Sequence, residues 1–176
     1  MPGIDETRTF KPLNLAVLTV SDTRTVENDT SGDTLKNLAE EAGHNVVERS
    51  ILTDNRILIS DQVVAWAADP RIDVVLTTGG TGLTARDVTP EAIRDVMEKE
   101  IEGFGELFRM LSFKIIGTST IQSRALGALV RGTYVFALPG STSACKDGWN
   151  GILKDQLDSR HRPCNFAELI PRLAKM

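Results

Sequence analysis

Short apolar runs alternate with amphipathic segments along most of this chain, and that alternation leaves few folds open. Residues 13–20 (LNLAVLTV) read as a buried strand, nearly all apolar and bounded by polar neighbours. After a polar loop over 21–30, Leu35, Leu38, Ala39 and Ala42 fall on one helical face, and Gly43 supplies a helix stop. The unit recurs: a strand over 46–52, a turn at Thr53-Asp54-Asn55, and a helix over 56–68 stopped by Asp69-Pro70. A third strand begins at Val74 and runs into Thr77-Thr78-Gly79-Gly80-Thr81-Gly82. Residues 90–102 read as a helix with Thr89 as N-cap and Pro90 at its first position. Phe104, Leu107, Phe108 and Leu111 continue a helical face after a break at Gly103. Residues 113–132 fit a short helix and an irregular strand pair. A fourth strand over 133–138 leads through Pro139-Gly140-Ser141 into a helix ending near Leu157.

Strands that alternate with helices in this way imply βαβ units, hence an α/β fold: a three-layer α/β/α sandwich on a mainly parallel sheet. We expect one domain over 13–165, a loose N-terminal arm over 1–12 and an irregular C-terminal tail over 166–176. At 176 residues the chain buries roughly 70% of its unfolded surface and needs no disulfide or metal staple. Cys145 and Cys164 have no CxxC spacing and read as reduced thiols of a cytoplasmic protein. His44, in a helix-to-strand turn, reads as a surface residue, and two isolated histidines make no zinc site. A net charge of −4 with no basic stripe argues against nucleic-acid binding. No apolar run approaches the ~20 residues of a membrane span, and no leader pattern opens the sequence.

Chemistry gathers at the four strand ends. These carry Ser21 and Asp22 with Asp29-Thr30-Ser31-Gly32; then Asp54; then Gly79-Gly80-Thr81-Gly82 with Arg86-Asp87; then Pro139-Gly140-Ser141-Thr142. In a parallel sheet these ends share one side, where ligands bind. Glycine loops and helix N-termini there suit a phosphate. Asp54 and Asp87 suit a magnesium ion that bridges phosphate oxygens. Each piece alone has a plainer use. Asp54 could cap the helix that starts near Asn55, Asp87 could pair with Arg86, and Ser21-Asp22 could form a simple turn. Ser123-Arg124 could be an ordinary polar pair. Their joint placement on one side favours a site.

Taken together, these stretches resemble the MoaB/MogA family of molybdenum-cofactor biosynthesis proteins, whose domain also occurs in gephyrin. The match rests on 19–24 (TVSDTR), 29–32 (DTSG), 78–82 (TGGTG), 86–92 (RDVTPEA), 123–125 (SRA) and 138–141 (LPGS). Residues 102–113 and 162–166 look like the MoaB branch. The resemblance implies adenylylation of molybdopterin: the pterin phosphate attacks the α-phosphate of Mg-ATP and pyrophosphate leaves. It assigns Asp54 and Asp87 to catalysis and magnesium. Ser21, Asp22, Thr78, Gly79, Gly80, Thr81, Gly82 and Ser123 fall to the pterin, and Ser31, Gly32, Pro139, Gly140 and Ser141 to the nucleotide. It also implies a trimer or hexamer with molybdopterin and ATP as partners, no tightly bound cofactor, and contacts with other enzymes of the pathway. Where catalytic relatives carry a second proline, this chain has Thr142. That substitution keeps an alternative open, a non-catalytic pterin carrier of the same pathway. A third reading is an unrelated nucleotide-binding regulator. Phe104, Phe108, Met110 and Phe113 could form an oligomer interface or complete the core.

Overall fold

The structure, a computed structural model, describes residues 1–173. The last three residues of the expected tail lie outside them. Strands in chain order are β1 (Gly3–Ile4), β2 (Asn14–Val20), β3 (Asn45–Leu52), β4 (Val74–Thr78), β5 (Lys99–Glu100), β6 (Leu126–Val130), β7 (Thr133–Leu138) and β8 (His161–Arg162). Helices are α1 (Thr30–Glu41), α2 (Arg56–Ala68), α3 (Thr89–Arg94), α4 (Glu102–Ile116) and α5 (Thr142–Gly148). A π-helical turn, Trp149–Leu153, prolongs α5, and 3-10 turns cover Gly117–Gln122 and Ala167–Arg172.

Strand parity decides which layer each side chain enters. From β2, Leu15 and Val17 enter one core with Leu35 of α1, Phe104 and Phe108 of α4 and Trp149. Ala16, Leu18 and Val20 enter the other, with Ile59 and Val63 of α2 and Ile93 of α3. The sheet between them has the order β3-β2-β4-β7-β6-β5. Its first four strands are parallel; β6 and β5 are added antiparallel. This is the expected three-layer sandwich. Each fully buried Leu or Phe contributes about 1.5–3 kcal/mol, so both cores are needed to hold the sheet.

Four local expectations are corrected. The helix expected over 90–102 ends at Arg94, because residues 98–101 turn outward to pair with β6: Glu98 N–H donates to Leu129 O at 2.9 Å. Edge pairing overrides helical periodicity there. Thr89 does not cap α3; Val88 holds that position, and the Thr89 hydroxyl instead donates to Gly79 O at 2.9 Å. The arm over 1–12 is tied down, since β1 pairs with β8 and the Arg160 guanidinium lies 5.1 Å above the Phe10 ring. His44 is buried rather than exposed, packed against Phe10 and Trp149, with Nδ1 accepting the Leu13 N–H at 3.1 Å.

Burial lowers the His44 pKa below its ordinary 6.5, with Asp158 and Asp73 opposing. The neutral ring is therefore native, and protonation removes the acceptor for Leu13. Because the folded pKa lies below the unfolded one, this contribution is complete above about pH 6.5 and is lost as pH falls from there toward the folded value. Melting temperature should drop more between pH 7.5 and 5 in the parent chain than in His44→Gln, where the amide oxygen can accept the same bond. Equal drops in the two proteins would remove His44 as the cause.

Candidate functional site

The chain leaves β2 through α1 on one face to reach β3, then returns through α2 on the other face to reach β4, on the far side of β2. Strand order therefore reverses at β2, and the loops after β2 and β4 diverge. A crevice opens beyond the carboxyl ends of the strands at such a point. Here it is a cleft of about 490 Å3, within the range of small-molecule sites. Its walls are the ends of β2, β4 and β7, with one face of α4.

The floor is the loop Gly79-Gly80-Thr81-Gly82. Gly79 and Gly80 have φ of +98° and +68°, which favour glycine. A Cβ on Gly79 would stand 2.2 Å from Val20 O, and one on Gly80 would stand 2.3 Å from Thr89 Oγ1. The backbone thus passes where no side chain fits, and Thr89 holds it from behind. Gly79 N–H donates to Leu138 O at 3.1 Å, which ties the floor to β7. The Thr78 hydroxyl donates to Pro139 O at 3.0 Å and lies 3.2 Å from the Cys145 sulfur. Burial pushes the Cys145 thiol up to about 11, so it stays protonated packing.

Two carboxylates border this floor. A Cβ built on Gly80 would meet Asp54 Oδ1 at 3.1 Å, and one on Gly82 would meet Asp87 Oδ2 at 2.8 Å. Asp87 is held low by the Thr84 hydroxyl, which donates at 2.6 Å, and by the amides of Thr84 and Gly82, with the Arg124 charge adding. Asp54 is raised, chiefly by burial and then by the negative charge of Asp22; Arg86 opposes and Asp87 adds. It does not cap α2, because Asn55 Oδ1 accepts the N–H groups of Ile57 and Leu58 at 3.0 and 3.1 Å. Asp54 and Asp87 thus border one floor as two carboxylates that a divalent cation could bridge to a ligand. Two hard carboxylates that leave the other positions to phosphate and water fit magnesium. No group of three or more potential metal ligands occurs among the described residues, so phosphates would have to complete the shell.

Two helix N-termini at the cleft suit an anion. The α1 N-terminus is capped by Asp29, whose buried carboxylate accepts from Gly32 N, Thr19 Oγ1 and Arg49 Nη2 at 3.0, 2.7 and 2.8 Å. Burial alone would raise Asp29, but these donors and the Arg49 charge hold it below the usual range. Ser141 caps α5 by accepting the Ala144 N–H at 3.2 Å. The Thr142 hydroxyl reaches Thr30 Oγ1 at 3.3 Å, so the two helix N-termini sit side by side. Helix N-termini carry partial positive charge. Arg24 is the one base among the described residues lining the cleft; its Nη1 donates to Asn28 O at 2.8 Å.

Of the residues expected at the site, Ser21, Ser31, Asp54, Thr78, Gly79, Gly80, Thr81, Gly82, Asp87, Ser123, Pro139, Gly140 and Ser141 all line this one cleft. The Ser123 hydroxyl is buried without a hydrogen-bond partner among the described residues. Asp22 and Gly32 are not on the lining. Asp22 instead pairs with the Arg86 guanidinium and accepts the Asp54 N–H at 3.1 Å. Arg86 is thus not the partner of Asp87. Gly32 lies behind the wall, where a Cβ would stand 2.1 Å from Asp29 Oδ2. Sequence reasoning missed Arg24, although its N–H bonds to Ser21 Oγ at 3.2 Å in the turn that the serine suggested. It also missed Phe108, Ser112 and Ile116, one row of α4 facing the cleft. Ser112, a polar residue one turn beyond Phe108 in an apolar row, was the available signal.

The chain is similar to known proteins along most of its length. The family described as "Probable molybdopterin binding domain" matches residues 16–159. The chain is 54% identical over 157 residues to "Molybdenum cofactor biosynthesis protein B" of Escherichia coli K12, covering 89% of this chain and 92% of that one. A crystal structure of a molybdenum cofactor biosynthesis protein B superposes with a TM-score of 0.85 at 40% identity, covering 94% and 98% of the two chains. A tungsten cofactor synthesizing protein MoaB from Pyrococcus furiosus superposes with a TM-score of 0.73 at 36% identity, covering 82% and 92%. The chain therefore belongs to the molybdopterin-binding domain family of molybdenum cofactor biosynthesis, alongside its MoaB members.

Proposed function

We propose that the chain binds molybdopterin in this cleft and adenylylates it with Mg-ATP, giving adenylyl-molybdopterin and pyrophosphate. A terminal phosphate oxygen of the pterin forms a bond to the α-phosphorus of ATP. The bond from that phosphorus to the oxygen bridging to the β-phosphorus breaks, and pyrophosphate carries the electron pair away. The observation that carries the reading is geometric: the Asp54 and Asp87 carboxylates border one glycine floor in the cleft that also holds Ser123. Magnesium, arriving with the nucleotide and held by Asp54 and Asp87, would offset the negative charge on the phosphates.

Catalysis of this kind is mainly positioning and charge stabilisation. Arg24 and the N-termini of α1 and α5 would attract and orient the anionic groups. The Ser123 hydroxyl, buried and without a partner among the described residues, would take its hydrogen bond from the pterin. Thr142 lies at the first position of α5, where proline is tolerated, and the cap by Ser141 is intact beside it. We see in that geometry no reason for the loop to be loose, which favours the enzyme over the carrier.

The reading extends to assembly and place. Phe104 and Phe108 belong to the core, whereas Met110 and Phe113 of α4 are 59% and 56% exposed. Both lie on α4, with Ile116 exposed one turn on from Phe113, and this apolar surface suits a trimer or hexamer. No helix among the described residues is long and apolar enough to cross a membrane. Cytoplasmic work beside other enzymes of the pathway is consistent with that.

Purified protein mixed with molybdopterin, ATP and magnesium should release pyrophosphate and adenylylated pterin. In Asp87→Asn, turnover should fall by roughly 100-fold or more while the pterin Kd stays within about threefold. Pterin binding with no product from the parent chain would support the carrier instead. Light scattering should give a trimer or hexamer, and Phe113→Glu with Met110→Glu should shift it to smaller species. A monomeric parent chain would contradict that part of the reading.

A further inference from the structure

Ser123 and Arg124 are neighbours with different surroundings. Ser123 lines the cleft, and Arg124 does not. The Arg124 guanidinium passes behind the cleft wall and gathers three backbone carbonyls from two separate stretches of the loop. Nε donates to Gly82 O at 2.8 Å and to Thr81 O at 3.3 Å, and Nη2 donates to Asp87 O at 2.8 Å. Nη1 is ion-paired with Glu91 of α3. On the solvent side Leu83, Thr84, Ala85 and Arg86 are exposed, and the loop's one further long-range tie there among the described residues is the exposed Arg86–Asp22 pair. Its other bonds are local: Asp87 N–H to Thr84 O at 3.0 Å, Thr84 N–H to Asp87 Oδ2 at 2.9 Å, and Thr89 N–H to Gly80 O at 3.0 Å.

From this geometry we propose that Arg124 is a positioning residue. It pins the Gly82 and Asp87 ends of the loop together, sets the Asp87 carboxylate against the glycine floor, and ties that placement to the segment carrying Ser123. The cleft-lining Ser123 and the Asp87 carboxylate are then fixed by one side chain that itself lies off the lining. A guanidinium is required because its rigid fork reaches several carbonyls at once, whereas a lysine ammonium is a single point on a flexible stem. The turnover consequence rests on the adenylylation reading; the mechanical one does not.

The test uses the full-length chain as Arg124→Gln and Arg124→Lys. Hydrogen exchange of the Thr84, Asp87 and Thr89 amides should quicken by about tenfold in Arg124→Gln, with the β2 and β7 amides unchanged. Turnover of molybdopterin with Mg-ATP should fall about 100-fold in kcat, while the pterin KM stays within about threefold, since a small misplacement costs rate more than binding. Arg124→Lys should lie between, and it takes over both readouts where the glutamine variant does not fold. Loop exchange equal to the parent chain overturns the proposal, whether or not the parent turns over. So does parent-like kcat in either folded variant. Absence of turnover in the parent chain counts against the adenylylation reading and leaves the exchange result to decide this one. Faster exchange spread evenly over the sheet also overturns it, because Arg124 would then hold the fold rather than the loop.

Discussion

Everything at the site depends on β2 pairing in parallel with two strands at once. Leu15–Val20 runs beside β3 on one edge, and Leu15–Thr19 runs beside β4 on the other. The chain must therefore leave β2 toward one layer and return through the other. Its loops part at the carboxyl ends and leave the cleft between them. The glycine floor exploits that gap. Gly79 can run against Val20 O only because neither it nor β2 places a Cβ there. A bulkier floor would close the crevice, and antiparallel pairing on either edge would move the loops to opposite ends of the sheet.

Around this opening, charge is divided by the packing. At one end the Asp29 carboxylate is fully paired inside the α1 cap, so the helix N-terminus faces the cleft without a free negative group beside it. At the other end Asp87 is kept ionised by Thr84 and its neighbours' amides, while Asp54 is pushed the opposite way by burial and like charge. On the reading proposed above, the helix N-termini would take an anion and the two carboxylates a divalent cation. A molecule that fits both carries phosphate together with a divalent ion, and a magnesium nucleotide beside a phosphorylated pterin has that polarity.

Much of this was legible in the residues. Leu35, Leu38, Ala39 and Ala42 announced α1, and the apolar runs announced the parallel strands, because burial on both faces leaves no room for polar alternation. The strand ends gave the side of the sheet, and the resemblance sharpened it to named residues. What failed were features decided by partners distant in sequence. His44 looks like a turn residue until Phe10 and Trp149 close over it. The helix beyond Arg94 is lost because β6 offers an edge to pair with, and Asp22 is drawn to Arg86 rather than the cleft. Arg124 reads as half of a polar pair and as part of the SRA match, but its contacts are not legible, since three of its hydrogen-bond acceptors are backbone carbonyls, which every sequence has.

The central claim is that one cleft, at the reversal of strand order, takes the pterin with its phosphate. A crystal structure of the chain soaked with molybdopterin tests it most directly. The account predicts density over the Gly79–Gly82 floor, with the Ser123 hydroxyl within hydrogen-bond distance of the ligand. Ordered pterin outside this cleft, with the cleft filled only by solvent, would contradict it.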